Sequence, residues 1–421
     1  MKERQIAIWT KPNCLVVIAA IAVISAVPGW IFIQKAILSD GYKLPVSAYF
    51  LILPAEYFMS VFIHEMGHFL TFSRNGLKVR ALFLSALMFI RENNTWKVKF
   101  CPNSITLLGG AVIPDVSVVK SQEEFDKIRM AYARAIAAGP DATVAFYVIA
   151  QLIAFPFILQ QANEVLQLLF CFVSLFMALV TIFLLFISLF HTETVISDIH
   201  AAYLCQTNPS FVAMQIYQYS VFSSNSEVVR RESQFLRDII LDSIEKKLYS
   251  KDIGIIELSI LNIFIMEYLT GDSDHLPKSV LDFITRLMYT PSIRKKIPHS
   301  EVGTYLWFHI IILLCSMDKA RDKAMEEYDF LVNNINTRDM VNWYLMHQAR
   351  HALGLADHSA FLSNRSNICA SSLHGMWKYF DGYYTQEIKL NKFIISNISC
   401  RNSCLHTQPI FAPTEDETRY S

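Results

Sequence analysis

The chain has 421 residues, 53% of them hydrophobic and 18% charged. That balance excludes a disordered chain and argues against a wholly soluble one, where about 45–50% and about 25% are usual. The formal charge is +0, from 37 Lys+Arg and 37 Asp+Glu, so the basic excess of a nucleic-acid binder is missing, and 8 cysteines are too sparse for a disulfide scaffold.

The long apolar runs gather in residues 1–200. The expected fold is mainly α: a polytopic membrane helical domain over 1–204 with a short membrane-associated β-hairpin, an α-helical domain over 205–404 exposed to the cytosol, and a flexible tail over 405–421. Residues 14–33 carry no charge and match the ~20 residues a spanning helix needs. The small residues Ser25-Ala26-Val27 offer a cleavage site, but the run outlasts the ~7–15-residue apolar core of a signal peptide, so it is read as a retained span. A second span covers 46–72 and contains Glu56, His64, Glu65 and His68. Residues 81–113 are broken by Arg91-Glu92-Asn93-Asn94-Thr95 and hold no uninterrupted span. Ala81 to Ile90 and Trp96 to Cys101 read as two strands around a polar turn. The third span, 131–159, is interrupted by Gly139-Pro140, and the fourth covers 165–190.

Ten Lys and Arg residues, from Arg74 to Arg134, fall in 73–134, and none falls in 160–164. The positive-inside rule then puts the N-terminus, the 73–130 region and the C-terminal half in the cytosol. The expected location is a multi-pass integral membrane protein with both termini cytosolic, in a layout that suits a bacterial cell membrane. Beyond it, Asn208 precedes Pro209 as a helix cap, and apolar periodicity marks helices in 228–249, 255–270, 318–333 and 338–353. Tyr305 to Cys315 is apolar but too short to span, so a buried helix is expected there. A helical array of this kind suits a protein partner.

The chemistry concentrates in His64-Glu65-Met66-Gly67-His68. On a helix, positions i and i+4 share a face, so both imidazoles can reach one Zn²⁺, with Glu65 beside them to accept a proton from its water. Ionisable groups in an apolar span are rare and usually functional. A catalytic zinc needs a third protein ligand and one open position. Thr71 and Arg74 stand where a metzincin would carry its Gly and His, so that class is excluded. Topology leaves Asp141, His191, Asp198 and His200 as candidates for the third ligand.

Together these segments resemble the site-2 protease family of intramembrane zinc metalloproteases. The resemblance covers roughly 46–200 and runs through His64 to His68, Leu108-Gly109-Gly110-Ala111-Val112, Ala138-Gly139-Pro140 and Ser197-Asp198, in the family's order. It implies one Zn²⁺ held by His64, His68 and Asp198, with Glu65 as general base. It also implies substrate contacts near Gly109 and Gly110, after strands on whose edge an extended peptide can pair. Thr143 stands in place of the Asn in the A-G-P element. Ser188 and His191 replace the Asn and Pro before the late Asp, and Ile199 replaces the Gly after it. Thr143 and His191 are therefore candidates for assisting the oxyanion. The expected activity is hydrolysis of a peptide bond in a membrane-spanning or membrane-anchored protein, a leader peptide or a small peptide precursor. The competing expectation is a catalytically silent relative that acts as a membrane-bound scaffold through its helical C-terminal half. The lipid bilayer is the other expected partner, and nucleic acid is not one.

Overall fold

The computed structural model describes residues 11–37, 44–102, 109–159, 163–190, 196–248, 250, 253–317, 320–371 and 374–400. The tail expected over 405–421 and the N-terminal ten residues lie outside these. The chain divides into two compact units, 1–212 and 213–421.

The first unit contains four helices long and apolar enough to cross a membrane. They are α1 (Lys11–Phe32), which runs on as a π turn over Ile33–Ile37, α2 (Val46–Arg74), α3 (Gln122–Leu159) and α4 (Glu164–Leu189). A short helix, α5 (Asp198–Thr207), follows. Val23, Phe50, Leu51, Leu152, Ile153 and Leu179 point outward and exposed, as side chains facing hydrocarbon do. α3 begins well before the expected residue 131, because Glu123 and Glu124 sit in its first turn and Phe125 is buried beneath them. Gly139 and Pro140 lie inside α3 and do not end it. Asn163 caps α4, its side-chain oxygen accepting from Leu166 N–H at 3.0 Å.

Small and polar residues bring the helices together. A Cβ on Gly67 would overlap the Ala138 carbonyl oxygen and come within 2.8 Å of Ala142 Cβ, so Gly67 lets α2 lie directly against α3. The Ser25 and Tyr147 hydroxyls bond at 2.7 Å between α1 and α3. Cys14, Ile21, Tyr147, Met177, Ala178 and Leu185 form the apolar contact of α1 and α3 with α4.

Between α2 and α3 lies an antiparallel sheet of four strands rather than one hairpin: β1 (Val79–Leu84), β2 (Leu87–Glu92), β3 (Thr95–Phe100) and β4 (Gly110–Pro114), in the order β3-β2-β1-β4. The stretch Ala81 to Ile90, expected as one strand, turns back on itself at Ser85, which adopts φ 51°. A Ser-Ala turn inside an apolar run gives little outward signal. The second turn is plainer. Asn93 and Asn94 take φ 48° and 62°, the positive values that a two-residue hairpin turn requires and asparagine tolerates. β4 pairs with β1, Leu84 opposite Gly110 and Leu82 opposite Val112, and so forms the edge opposite β3.

In the second unit the helix Glu301–Ser316 is buried all round, with Leu306, Trp307, Phe308 and Ile310 to Leu314 inside. It packs against helices Ile255–Leu269, Arg321–Val332 and Met340–Ala352. An apolar helix too short to span takes this central place when amphipathic neighbours cover it. Asn208 caps the helix Pro209–Tyr219, its Oδ1 accepting from Phe211 N–H at 3.2 Å.

Candidate metal centre

His64 and His68 lie one turn apart on α2, and their rings meet at 4.9 Å between centroids. Both are buried, at 7% and 8% exposure. α3 runs against this face and supplies an acceptor for each ring. His68 Nδ1–H donates to the Ala135 carbonyl at 2.8 Å. Thr143 Oγ1–H donates to the Gly139 carbonyl at 3.1 Å, and its oxygen lies 2.9 Å from His64 Nδ1, where it can accept that N–H. In the tautomer with a proton on each Nδ1, both Nε2 atoms would present lone pairs. Gly139 makes room for them: a Cβ there would overlap His68 Nε2 and come within 2.8 Å of His64 Nε2.

The two Nε2 atoms face Asp198, the first residue of α5. Its Oδ2 is 3.1 Å from His64 Nε2 and 3.8 Å from His68 Nε2. Ser188, buried near the end of α4, donates its hydroxyl to the same oxygen at 3.3 Å. Glu65 projects from another side of α2, toward β4, and Gly110 N–H donates to its carboxylate. A Cβ on Gly110 would overlap Glu65 Cγ and the Phe83 carbonyl, so only glycine brings the start of β4 this close to the carboxylate. Ligand atoms of His64, Glu65 and His68 all lie within 4.8 Å of one another.

The remaining candidates fall elsewhere. Asp141 is exposed on α3. His200, half-buried on α5, stacks on Tyr203 at 6.4 Å. Gly109 accepts Ser85 N–H at 3.3 Å through its carbonyl and so helps join β4 to the β1–β2 turn. His191 lies outside the described residues. Thr143, expected near substrate, bonds the Gly139 carbonyl and His64 Nδ1. Of three further contributors, the Ala135 carbonyl had no sequence signal, and the Ser188 hydroxyl and the Gly110 N–H had none for these partners. Each acts through a helix or strand crossing that only the fold creates.

Two imidazoles and a carboxylate are the kind of donor set that a catalytic zinc with one open position uses. Bonds of 2.0–2.2 Å to a tetrahedral ion put neighbouring ligand atoms about 3.3 Å apart, close to the 3.1 Å and 3.8 Å found here. Among the described residues, no Lys or Arg forms an ion pair with Asp198 or Glu65, so the cluster has carboxylates and lone pairs but no cation of its own.

No curated protein and no solved structure matches the chain. The profile of peptidase family M50 does match, over residues 55–317, more than half of the chain. The match takes in the His64–His68 segment of α2, Asp198, Gly110 and Gly139. On this match the chain belongs to peptidase family M50, the site-2 protease family, whose members are zinc metalloproteases.

Proposed function

We propose that this chain is a multi-pass intramembrane zinc endopeptidase, with His64, His68 and Asp198 holding one Zn²⁺ and Glu65 serving as general base. The convergence of both Nε2 lone pairs on Asp198, with Glu65 alongside, carries this reading. Zinc, when bound, supplies Lewis-acid activation of water and of the scissile carbonyl. Glu65 takes the proton of the attacking water and passes it to the leaving amine. The Gly110 N–H keeps the carboxylate aimed during this exchange. Thr143, its hydroxyl proton committed to Gly139, contributes no donor to the oxyanion.

The substrate is a membrane-spanning or membrane-anchored segment that enters in extended form, because helical hydrogen bonds would hide its peptide bonds. An extended segment can pair with a free sheet edge. The edge beside Glu65 is that of β4. The β3 edge, within the segment first expected to receive substrate, lies about 14 Å across the sheet at ~4.8 Å per strand. By the positive-inside rule the basic residues of 73–134 support a cytosolic sheet end of α2, and a cytosolic second unit would be open to a protein partner.

The test is cleavage of a co-expressed single-span substrate by the wild type and by Glu65→Gln. The variant is expected to lose at least ~10²-fold in rate while retaining zinc. Equal cleavage by both would remove the protease reading.

A further inference from the structure

We infer that Thr143 is a positioning residue for the metal centre, fixing His64 in the tautomer that ligates zinc. This rests on the zinc reading above. A neutral imidazole carries its proton on one of two nitrogens, and only the other can bind a metal. Left to itself His64 could carry it on Nε2, facing Asp198, and the ligand would be lost. Thr143 prevents this through a chain of donors with one direction. Its single hydroxyl proton goes to the Gly139 carbonyl at 3.1 Å. Its oxygen then has only lone pairs to offer His64 Nδ1 at 2.9 Å, so that nitrogen must be the one that donates. Thr143 is 1% exposed, and no bulk water competes for either bond.

The arrangement is paired. Ser188 donates to Asp198 Oδ2 at 3.3 Å and is also buried. On the resemblance described above, Thr143 and Ser188 stand where the family's motifs carry Asn. In each case the hydroxyl meets a metal-ligating side chain. What looked in the sequence like a loss of substrate-handling groups is a second layer of support for the ligands. Groups of this kind typically alter metal affinity 10–100-fold when removed.

The experiment measures zinc affinity by chelator competition on the purified full-length chain in detergent, for the wild type, Thr143→Val and Thr143→Ser. Thr143→Val keeps the shape and removes the hydroxyl, and is expected to bind zinc about 10–100-fold more weakly. Thr143→Ser keeps the hydroxyl and is expected to bind as the wild type does. Thr143→Val leaves the buried His64 N–H without its acceptor, so its zinc-free form should unfold somewhat below the other two, and affinities are compared at a temperature where all three are folded. If Thr143→Val does not fold, Thr143→Ala replaces it in the comparison with Thr143→Ser. Wild-type affinity in the variant lacking the hydroxyl, or equal losses in the variants with and without it, would overturn the inference. A wild-type chain that binds no zinc would instead overturn the metal reading beneath it.

Discussion

The two units bury charge in opposite ways. In the second, among the described residues, three of the four buried glutamates pair with Lys or Arg of the same unit, and the fourth with tyrosine hydroxyls. Glu257 pairs with Lys247, and Glu267 with Arg230 and Arg237. Glu327 meets Arg294 and Lys323 at 3.0 Å each and accepts from Trp307 Nε1 at 3.2 Å. Glu387 accepts from the hydroxyls of Tyr305 and Tyr344 at 2.5 and 3.0 Å. These groups are satisfied from within and serve the fold. In the first unit His64, Glu65, His68 and Asp198 gather without a Lys or Arg among them. Buried charge without compensation is costly, and the proposed zinc would supply that compensation. The same residue types thus read as structure in one unit and as a binding site in the other.

That contrast predicts which substitutions change stability and which change metal binding. Trp307→Ala, at the centre of the second unit, should cost about 3–5 kcal/mol of stability and leave zinc content untouched. Thermal unfolding and metal analysis of the same sample check both halves. Gly139→Ala should act the other way, because its methyl meets both imidazoles. Zinc content should fall close to zero, with an overpacking cost of about 1–3 kcal/mol; retained zinc would break the contrast.

A smaller effect is expected from pH. Burial pushes His309, in helix Glu301–Ser316, down to about 3, so it stays neutral in the folded chain while the unfolded chain takes up a proton below about 6.5. Its stabilising contribution is complete above that value and falls as pH drops from there toward 3. At pH 5.5 the loss is on the order of 1 kcal/mol, and His309→Gln should flatten the acid limb of the unfolding curve. The smallest effect belongs to the sheet. Lys97 and Lys99 donate to Glu92 at 2.7 and 2.5 Å and hold its carboxyl down at about 2. That contribution is present above the usual carboxylate range and is lost as pH falls through 2. The group is solvated, so Glu92→Gln at neutral pH should change stability by no more than a few tenths of a kcal/mol.

The four apolar helices and the central helix of the second unit were readable because long apolar runs have few alternatives. The shared face of His64 and His68 on α2 was readable because i and i+4 spacing holds on any helix. The sheet was less so. Ser85 and Ala86 turn within an apolar stretch, and β4 showed only as a glycine pair, because its strand character comes from pairing with β1. Thr143 and Ser188 were noticed as departures from a pattern, but their partners were hidden. Residues 64 and 143, or 188 and 198, meet only once α2, α3, α4 and α5 have packed, and no local periodicity encodes that meeting.

The most direct test is metal content per chain, measured on the purified full-length protein before and after Asp198→Ala. One zinc per wild-type chain, falling far below that in the variant, is the expected result. Full occupancy without the Asp198 carboxylate, or a wild-type chain that takes up none, would contradict the account.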